Sequence, residues 1–201
     1  MNPVAALQRV FIDTSELYPF TVMDVLLSLS EDLLFTWAWT DEVLAEWERV
    51  IVAGGVRAPG SARSVTDAVR DFFGDGRIEP SRYRDRVSDD LSTDPDDRVH
   101  AAACVFGDVQ VLVTRNLKHF RSPRLAEAGV AVMTADRYLC ELLARHPQAV
   151  AESVRRLVDT KTNPPVIERE WIDRLAKAGA PQFAATMGAR FGREDGPEVI
   201  I

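Results

Sequence analysis

The stretch that decides the fold runs from Ser92 to Phe120 and reads STDPDDRVHAAACVFGDVQVLVTRNLKHF. An alanine-rich run follows a group of three aspartates, and it predicts a helix with Pro95 in its first turn. The apolar run from Val109 to Val113 predicts the strand that follows this helix. One aspartate is enough to start a helix, so a group of three suggests that at least one has another role.

The same alternation of strands and helices extends to the rest of the chain. Val10 to Ile12 is a short β-prone run, and apolar residues at helical spacing follow it up to Leu33. Val130 to Met133 is a third strand-like run, and another helical pattern begins after it. Because the connections are too long for hairpins, we predict a three-layer α/β/α fold with a mostly parallel central sheet.

The pattern also predicts where several helices begin and how the chain divides. Thr40 and Ser64 are predicted N-caps, the second for a helix from about Val65 to Phe73. After His146 the chain contains two amphipathic helical patterns separated by a proline-rich break, and Gly179 is predicted to end the second. We therefore expect an α/β domain over residues 8–140 and a helical extension over residues 146–195.

The composition excludes several classes of function. The chain has 201 residues, 46% of them hydrophobic, with no long apolar run and no signal-peptide layout, so we expect a soluble cytoplasmic protein. Cys104 and Cys140 lie in apolar helical patterns without a zinc-ligand spacing, so we expect reduced thiols and oxygen ligands for any metal. The net charge of −7 argues against a broad electrostatic grip on nucleic acid and favours a local site.

Four oxygen-bearing side chains are predicted to meet at one edge of the sheet. Asp13 and Asn116 each follow a predicted strand, and the carboxyl ends of parallel strands are where ligands bind in open α/β folds. Glu46 lies beside the apolar face of its helix, where a charge needs a partner or a metal. Asp97 lies in the first turn of its helix and points to the small residues that pack near the sheet. The alternatives are a turn or cap role for Asp13 and an exposed edge position for Glu46.

The other two aspartates of the opening group have simpler interpretations. Asp94 is predicted to be the N-cap before Pro95, and Asp96 a solvated acid that the helix dipole favours. Three carboxylates and an amide suit Mg²⁺ or Mn²⁺, which in phosphodiester hydrolysis polarise the phosphate and activate water.

Four motifs in this order resemble a PIN domain of the VapC toxin type. They read VFIDTSELYPFTVMDVLL, WTDEVLAEWERV, DPDDRVHAAA and VLVTRNLKHF, and the C-terminal helices are similar to the extension of one subgroup. The resemblance implies a Mg²⁺-dependent endoribonuclease with an RNA substrate and a cognate antitoxin, and a homodimer is a further expectation. It places the metal ligands at Asp13, Glu46 and Asp97, with Asn116 as the fourth catalytic position.

The fourth position departs from the family pattern. Many relatives have Asp where this chain has Asn116, and relatives with Asn there often have Asp where this chain has His119. Because neither carboxylate is present, both one-metal and two-metal sites stay open. His119 could bind phosphate or transfer a proton, or it could be an exposed loop imidazole.

A local basic group follows the strand predicted from Val109 to Val113. We expect Arg115, Lys118, His119 and Arg121 to contact RNA phosphate, although a solvated face would have the same composition.

Two other functions compete with the ribonuclease. A haloacid-dehalogenase phosphatase needs a second acid two residues after its nucleophile, where this chain has Ser15. A degenerate PIN domain that binds RNA or a protein without cutting stays open because the fourth carboxylate is missing.

Overall fold

The computed structural model describes residues 7–194 of the chain, and side chains as far as residue 191. The strands in this part are β1 (Arg9–Ile12), β2 (Thr36–Ala38), β3 (Val111–Val113) and β4 (Ala131–Met133). The helices are α1 (Thr14–Leu17), α2 (Phe20–Glu31), α3 (Asp41–Ala53), α4 (Pro59–Phe72), α5 (Arg98–Phe106), α6 (Pro123–Glu127), α7 (Ala135–Arg145), α8 (Pro147–Asp159), α9 (Glu168–Lys177) and α10 (Pro181–Glu194). Three short 3-10 turns lie between α4 and α5.

The strands form one parallel sheet in the order β2-β1-β3-β4. Val10, Phe11 and Ile12 are all fully buried, and β3 is buried along its whole length. Successive side chains of a strand point to opposite faces, so the centre of this sheet is covered on both sides. The predicted α/β class with a parallel sheet is therefore confirmed.

The strands β1 and β3 end at the same level. The backbone N–H of Asp13 donates to the carbonyl of Val113 at 2.9 Å, and Thr114 continues the ladder by donating to Met133 at 2.9 Å. The side chains that leave β1 and β3 therefore begin at the same edge, as the sequence predicts.

Packing divides the described residues into two compact units. The first contains residues 7–18 and 33–134, including the whole sheet. The second contains residues 19–32 and 135–194, so helix α2 groups with the C-terminal helices rather than with the sheet. The predicted boundaries, 8–140 for a nuclease domain and 146–195 for an extension, stay a prediction, and residue 195 lies outside the described residues.

The second unit is held together by a helical core and by polar contacts between its helices. Trp171 and Phe183 are buried, and Asp136 of α7 accepts hydrogen bonds from the backbone N–H groups of Gln182 and Phe183 at the start of α10. Gly179 has a φ of +111°, a conformation that favours glycine, and it follows α9 as predicted. Helix α10 was absent from the prediction.

Three predicted helix starts can be compared with the structure. The Thr40 hydroxyl accepts from the N–H of Val43, so this N-cap is confirmed. The Ser64 cap is wrong, because α4 begins at Pro59, six residues before the predicted start at Val65, and a missing N–H costs nothing at the first helical position. The start at Pro95 is also wrong: α5 begins at Arg98, with Asp97 as its N-cap residue.

Candidate metal centre

Asp13 follows β1 directly and is almost fully buried, with an exposed fraction of 3%. Its Oδ2 accepts hydrogen bonds from the hydroxyls of Ser15 at 2.5 Å and Thr114 at 2.7 Å. Ser15 is the second residue of α1, and Thr114 follows β3 directly. Two hydroxyls therefore fix the carboxylate at the sheet edge, and neither carries a positive charge.

Glu46 lies on α3, and a buried histidine holds it. The Nε2 atom of His100, on α5, is 3.0 Å from Oε2 of Glu46. The hydrogen bond from His100 lowers the pKa of Glu46 and outweighs burial, which would raise it. The ionised form of Glu46 is therefore favoured although the side chain is partly buried.

His100 contacts one of the three predicted metal ligands, Glu46, and the charges of the other two act on it. Burial lowers the pKa of its imidazole, but the hydrogen bond to Glu46 and the negative charges of Asp13, Glu46 and Asp97 raise it overall. Asp97 lies one helical turn before His100, and Asp13 is close enough to raise the pKa of Asp97 as well. One buried side chain is therefore bonded to Glu46 and lies within electrostatic reach of Asp13 and Asp97.

Asp97 is held by a second histidine. Its Oδ2 is 2.8 Å from Nδ1 of His119, which also lies 3.5 Å from Oδ2 of Asp94. Burial and the charge of Asp13 raise the pKa of Asp97, and the hydrogen bond to His119 opposes them. His119 is therefore not an exposed loop imidazole. Asp94 does not cap the helix; its side chain accepts from the N–H of Asp96 in a turn.

The spacing of the carboxylates limits how a cation could be bound. Among the described residues, Asp94, Asp97 and His119 are the one group of three acidic, histidine or cysteine side chains whose ligand atoms all lie within 4.8 Å of one another. Ligands on opposite sides of Mg²⁺ are at most about 4.2 Å apart, so Asp13, Glu46 and Asp97 do not all reach one ion directly in this arrangement. Mg²⁺ usually keeps several waters and takes one or two carboxylates, so the donor set fits a partly hydrated ion.

Asn116 lies in the loop after β3, and its described hydrogen bonds are made by its backbone. Its backbone N–H donates to the hydroxyl of Thr114 at 3.0 Å, and its carbonyl accepts from the N–H of His119. The side chain is half-buried. Asn116 therefore belongs to the loop that positions Thr114 and His119, and its role as a ligand stays a prediction.

The predicted RNA-binding residues differ in their surroundings. Arg115 donates from Nε to Glu16 at 2.9 Å, and Glu16 is 1% exposed, so this guanidinium compensates a buried charge. Lys118 and Arg121 are exposed. Phosphate contact by this group stays a prediction, and the two exposed cations are better placed for it than Arg115.

Four side chains of this site are not among the predicted residues. His100 lies within the alanine-rich run, and a histidine on the buried face of a helix requires a polar partner. Ser15 and Thr114, next to predicted ligands, carry the hydroxyls that hold Asp13. Glu16 could have been noticed as a carboxylate one turn after Asp13 with an arginine beside the neighbouring strand end.

Comparison with known proteins supports the resemblance drawn from the motifs. Residues 135–189 match the family model of the VapC50 C-terminal domain, and this match begins at the first residue of α7. Over 89 residues, the chain is 33% identical to a protein of Mycobacterium tuberculosis (strain ATCC 25618 / H37Rv) named "Putative ribonuclease VapC50". The alignment covers 44% of this chain and 52% of that protein, so the chain spans about half the length of this curated relative. No solved structure gives a significant match.

The parallel α/β fold and these two matches confirm the resemblance to VapC-type toxins. The match to the C-terminal domain model agrees with the resemblance to the subgroup that has a C-terminal extension. No helix in the described part of the chain combines the length and the apolar character needed to cross a bilayer.

Proposed function

We propose that this protein is a metal-dependent endoribonuclease that hydrolyses RNA phosphodiester bonds and acts in the cytoplasm as the toxin of a type II toxin–antitoxin pair. The observation that carries the proposal is the position of the buried His100, which is bonded to Glu46 and lies within electrostatic reach of Asp13 and Asp97. The similarity to a protein named as a ribonuclease supports the same activity.

The three carboxylates are the groups that would hold Mg²⁺ or Mn²⁺. Asp13 has no cationic side chain among its hydrogen-bond partners in the described residues, and its charge disfavours ionisation of Asp97. A divalent cation would relieve this repulsion, which is a reason for the site to bind one. When bound, the cation polarises the phosphate and makes a water nucleophilic near neutral pH. Asn116 could add a neutral oxygen donor.

The protein side chains have separate tasks in this proposal. The hydroxyls of Ser15 and Thr114 fix Asp13, and the imidazoles of His100 and His119 fix the two carboxylates on the helices. Lys118 and Arg121 would attract the RNA phosphates toward an otherwise acidic edge. Residues 8–140 would form the nuclease domain, and the helices after residue 146 an extension.

The partners of the protein are part of the proposal. By resemblance to the VapC type, a cognate antitoxin would bind the toxin and suppress its activity, and two copies of the chain would form a dimer. Co-expression with the protein encoded next to it should restore growth of cells that the toxin arrests. Continued arrest with that neighbour present would contradict the pairing.

The direct test is an RNA cleavage assay with the purified protein. We expect a structured RNA to be cut with Mg²⁺ or Mn²⁺ and to stay intact with EDTA. Asp97→Asn should abolish cutting, whereas Asp96→Asn, a matched change at an exposed neighbouring acid, should leave it intact. Metal-independent binding of RNA without any cutting would contradict the proposal and favour a degenerate PIN domain.

A further inference from the structure

We infer that His100 is a positioning residue of the proposed metal centre, which engages one oxygen of Glu46 and thereby tunes the site to small cations. The inference rests on the proposed function, since it concerns the same carboxylates. It adds His100, which the sequence motifs do not single out as a site residue. It also adds a preference for Mg²⁺ and Mn²⁺ over Ca²⁺, which oxygen ligands alone do not provide.

The first support is the immobility of the imidazole. His100 is 3% exposed, and its ring centroid lies 5.8 Å from that of Phe11 on the central strand β1. It projects from α5, which packs against α3, and its Nε2 meets Glu46 Oε2 at 3.0 Å. A side chain packed in this way holds its partner far more rigidly than an exposed one would.

The second support is the assignment of the imidazole proton. The Nδ1 atom of His100 is buried and has no hydrogen-bond partner. If the single proton of a neutral ring were on Nδ1, a buried donor would be unpaired and a lone pair of Nε2 would face a carboxylate. The geometry therefore favours the tautomer in which Nε2–H donates to Glu46.

The consequence concerns the second oxygen of the carboxylate. Because one lone pair of Oε2 of Glu46 accepts from His100, Oε1 is the oxygen that keeps both lone pairs for an ion, and binding through both oxygens at once is disfavoured. Mg²⁺ and Mn²⁺ accept single carboxylate oxygens together with waters, whereas Ca²⁺ readily takes both oxygens of one carboxylate. Releasing Glu46 should therefore improve the site for Ca²⁺ relative to the smaller ions.

The test uses two amides that differ only in where they place an N–H group. His100→Gln can place its donor near the position of Nε2 and keep the bond to Glu46, whereas the shorter His100→Asn cannot reach it. Kd values for Mn²⁺ and Ca²⁺ would be measured by calorimetry for both variants and for the wild type. Loss of a group that orients a metal ligand typically costs about 10-fold to 100-fold in affinity.

We expect His100→Asn to weaken Mn²⁺ binding by about 10-fold and to weaken Ca²⁺ binding less, so that the preference for Mn²⁺ over Ca²⁺ falls. His100→Gln should recover most of the wild-type preference. Equal weakening for both ions, or identical behaviour of the two amide variants, would show a merely structural role and overturn the inference. If His100→Asn does not fold, His100→Leu provides the same comparison with His100→Gln.

Two controls separate this inference from the proposed function. His146→Asn changes an exposed histidine in the other unit and should leave both affinities unchanged. A wild-type protein that binds no Mn²⁺ would refute the metal centre itself. A wild type that binds Mn²⁺, with an unchanged ion preference in His100→Asn, would refute only the role of His100.

Discussion

Asp13 and the pair Glu46 and Asp97 are held in place by different means. Asp13 leaves the central strand of the sheet, and the hydroxyls of Ser15 and Thr114 hold one of its oxygens. The two other carboxylates project from or cap helices, and each is bound by a histidine. The sheet itself determines where Asp13 lies, whereas Glu46 and Asp97 depend on side chains that contact them.

This difference in how the carboxylates are held predicts which substitutions reduce metal binding and activity most. A change at Asp13 removes the negative charge that has no counter-charge among its hydrogen-bond partners, and nothing else replaces it. A change at a histidine leaves the charge in place and loosens its position. Loss of a charge should therefore cost more than loss of an orienting contact.

The largest effect is expected for Asp13→Asn. The amide keeps an oxygen that can accept from Ser15 and Thr114, so the fold should be preserved, but the charge that attracts a cation is lost. Cleavage of RNA should fall by about 100-fold or more, and Mn²⁺ binding should weaken, because hard cations favour carboxylate over amide oxygen. An Asp13→Asn protein that cuts RNA normally would place the chemistry elsewhere.

A smaller effect is expected for His119→Ala. The hydrogen bond from His119 lowers the pKa of Asp97, while burial and Asp13 raise it. Without His119 the pKa of Asp97 should rise further, so the loss of activity on acidification should begin at a higher pH. The rate at neutral pH should fall by about 10-fold.

The kinetic parameters distinguish the two interpretations of His119. A residue that positions Asp97 affects kcat, whereas a residue that only binds RNA phosphate affects KM. His146→Ala is the control, and we expect neither parameter to change in it. An unshifted pH profile combined with a raised KM would show that His119 contacts substrate instead.

Asn116→Asp tests whether the side chain at position 116, in the loop after β3, faces the cation. A fourth carboxylate should strengthen Mn²⁺ binding several-fold and allow cutting at lower Mg²⁺. Without metal it should repel its neighbours and slightly lower the melting temperature. The Mn²⁺ affinity should therefore rise while the melting temperature of the metal-free protein falls. No change in either quantity would show that residue 116 does not face the cluster.

The smallest effect concerns the helix that carries Glu46. Arg77 donates to Asp41 at 2.7 Å near the start of α3, and this hydrogen bond lowers the pKa of Asp41. Because the pKa of Asp41 is lower in the folded protein than its unfolded value of about 3.9, the ionised carboxylate stabilises the fold at pH values above about 3.9. This stabilisation is lost as the pH falls through the pKa of Asp41 in the folded protein. Both side chains are about one-third exposed, which limits the effect.

Asp41→Asn should therefore destabilise the protein by about 0.5 kcal/mol at neutral pH, and the difference from wild type should vanish in acid. Chemical denaturation at both pH values measures it. Asp67→Asn, in a more exposed ion pair on α4, should cost less. A larger cost for Asp67→Asn would contradict the role given to Asp41.

The sequence predicts three of the four strands and the edge of the sheet because these follow from local patterns, whereas β2 (Thr36–Ala38) is not predicted. A buried strand ending in Asp13, and another leading to Asn116, define the edge without any knowledge of tertiary contacts. The start of α5 was predicted three residues too early, since Pro95 is compatible with both a turn and a first helical turn. Sequence patterns do not distinguish between these two uses of proline.

The histidine contacts could not be predicted because they join distant residues. His100 and Glu46 are 54 positions apart, and His119 and Asp97 are 22 apart. Helical periodicity predicts that a side chain lies on a buried face, but it does not identify the partner on a neighbouring helix. Helix α10 is absent from the prediction for a related reason, because Gly179 indicates only where the preceding helix ends.

The measurement that tests the central claim most directly is calorimetric titration of Mn²⁺ into four proteins: the wild type, Asp13→Asn, Glu46→Gln and Asp97→Asn. We predict that the wild type binds the ion and that each substitution weakens binding, because the three carboxylates act on one cation, directly or through its waters. Asp96→Asn should bind like the wild type. Unchanged Mn²⁺ affinity in the three site variants would contradict the assignment of the metal centre.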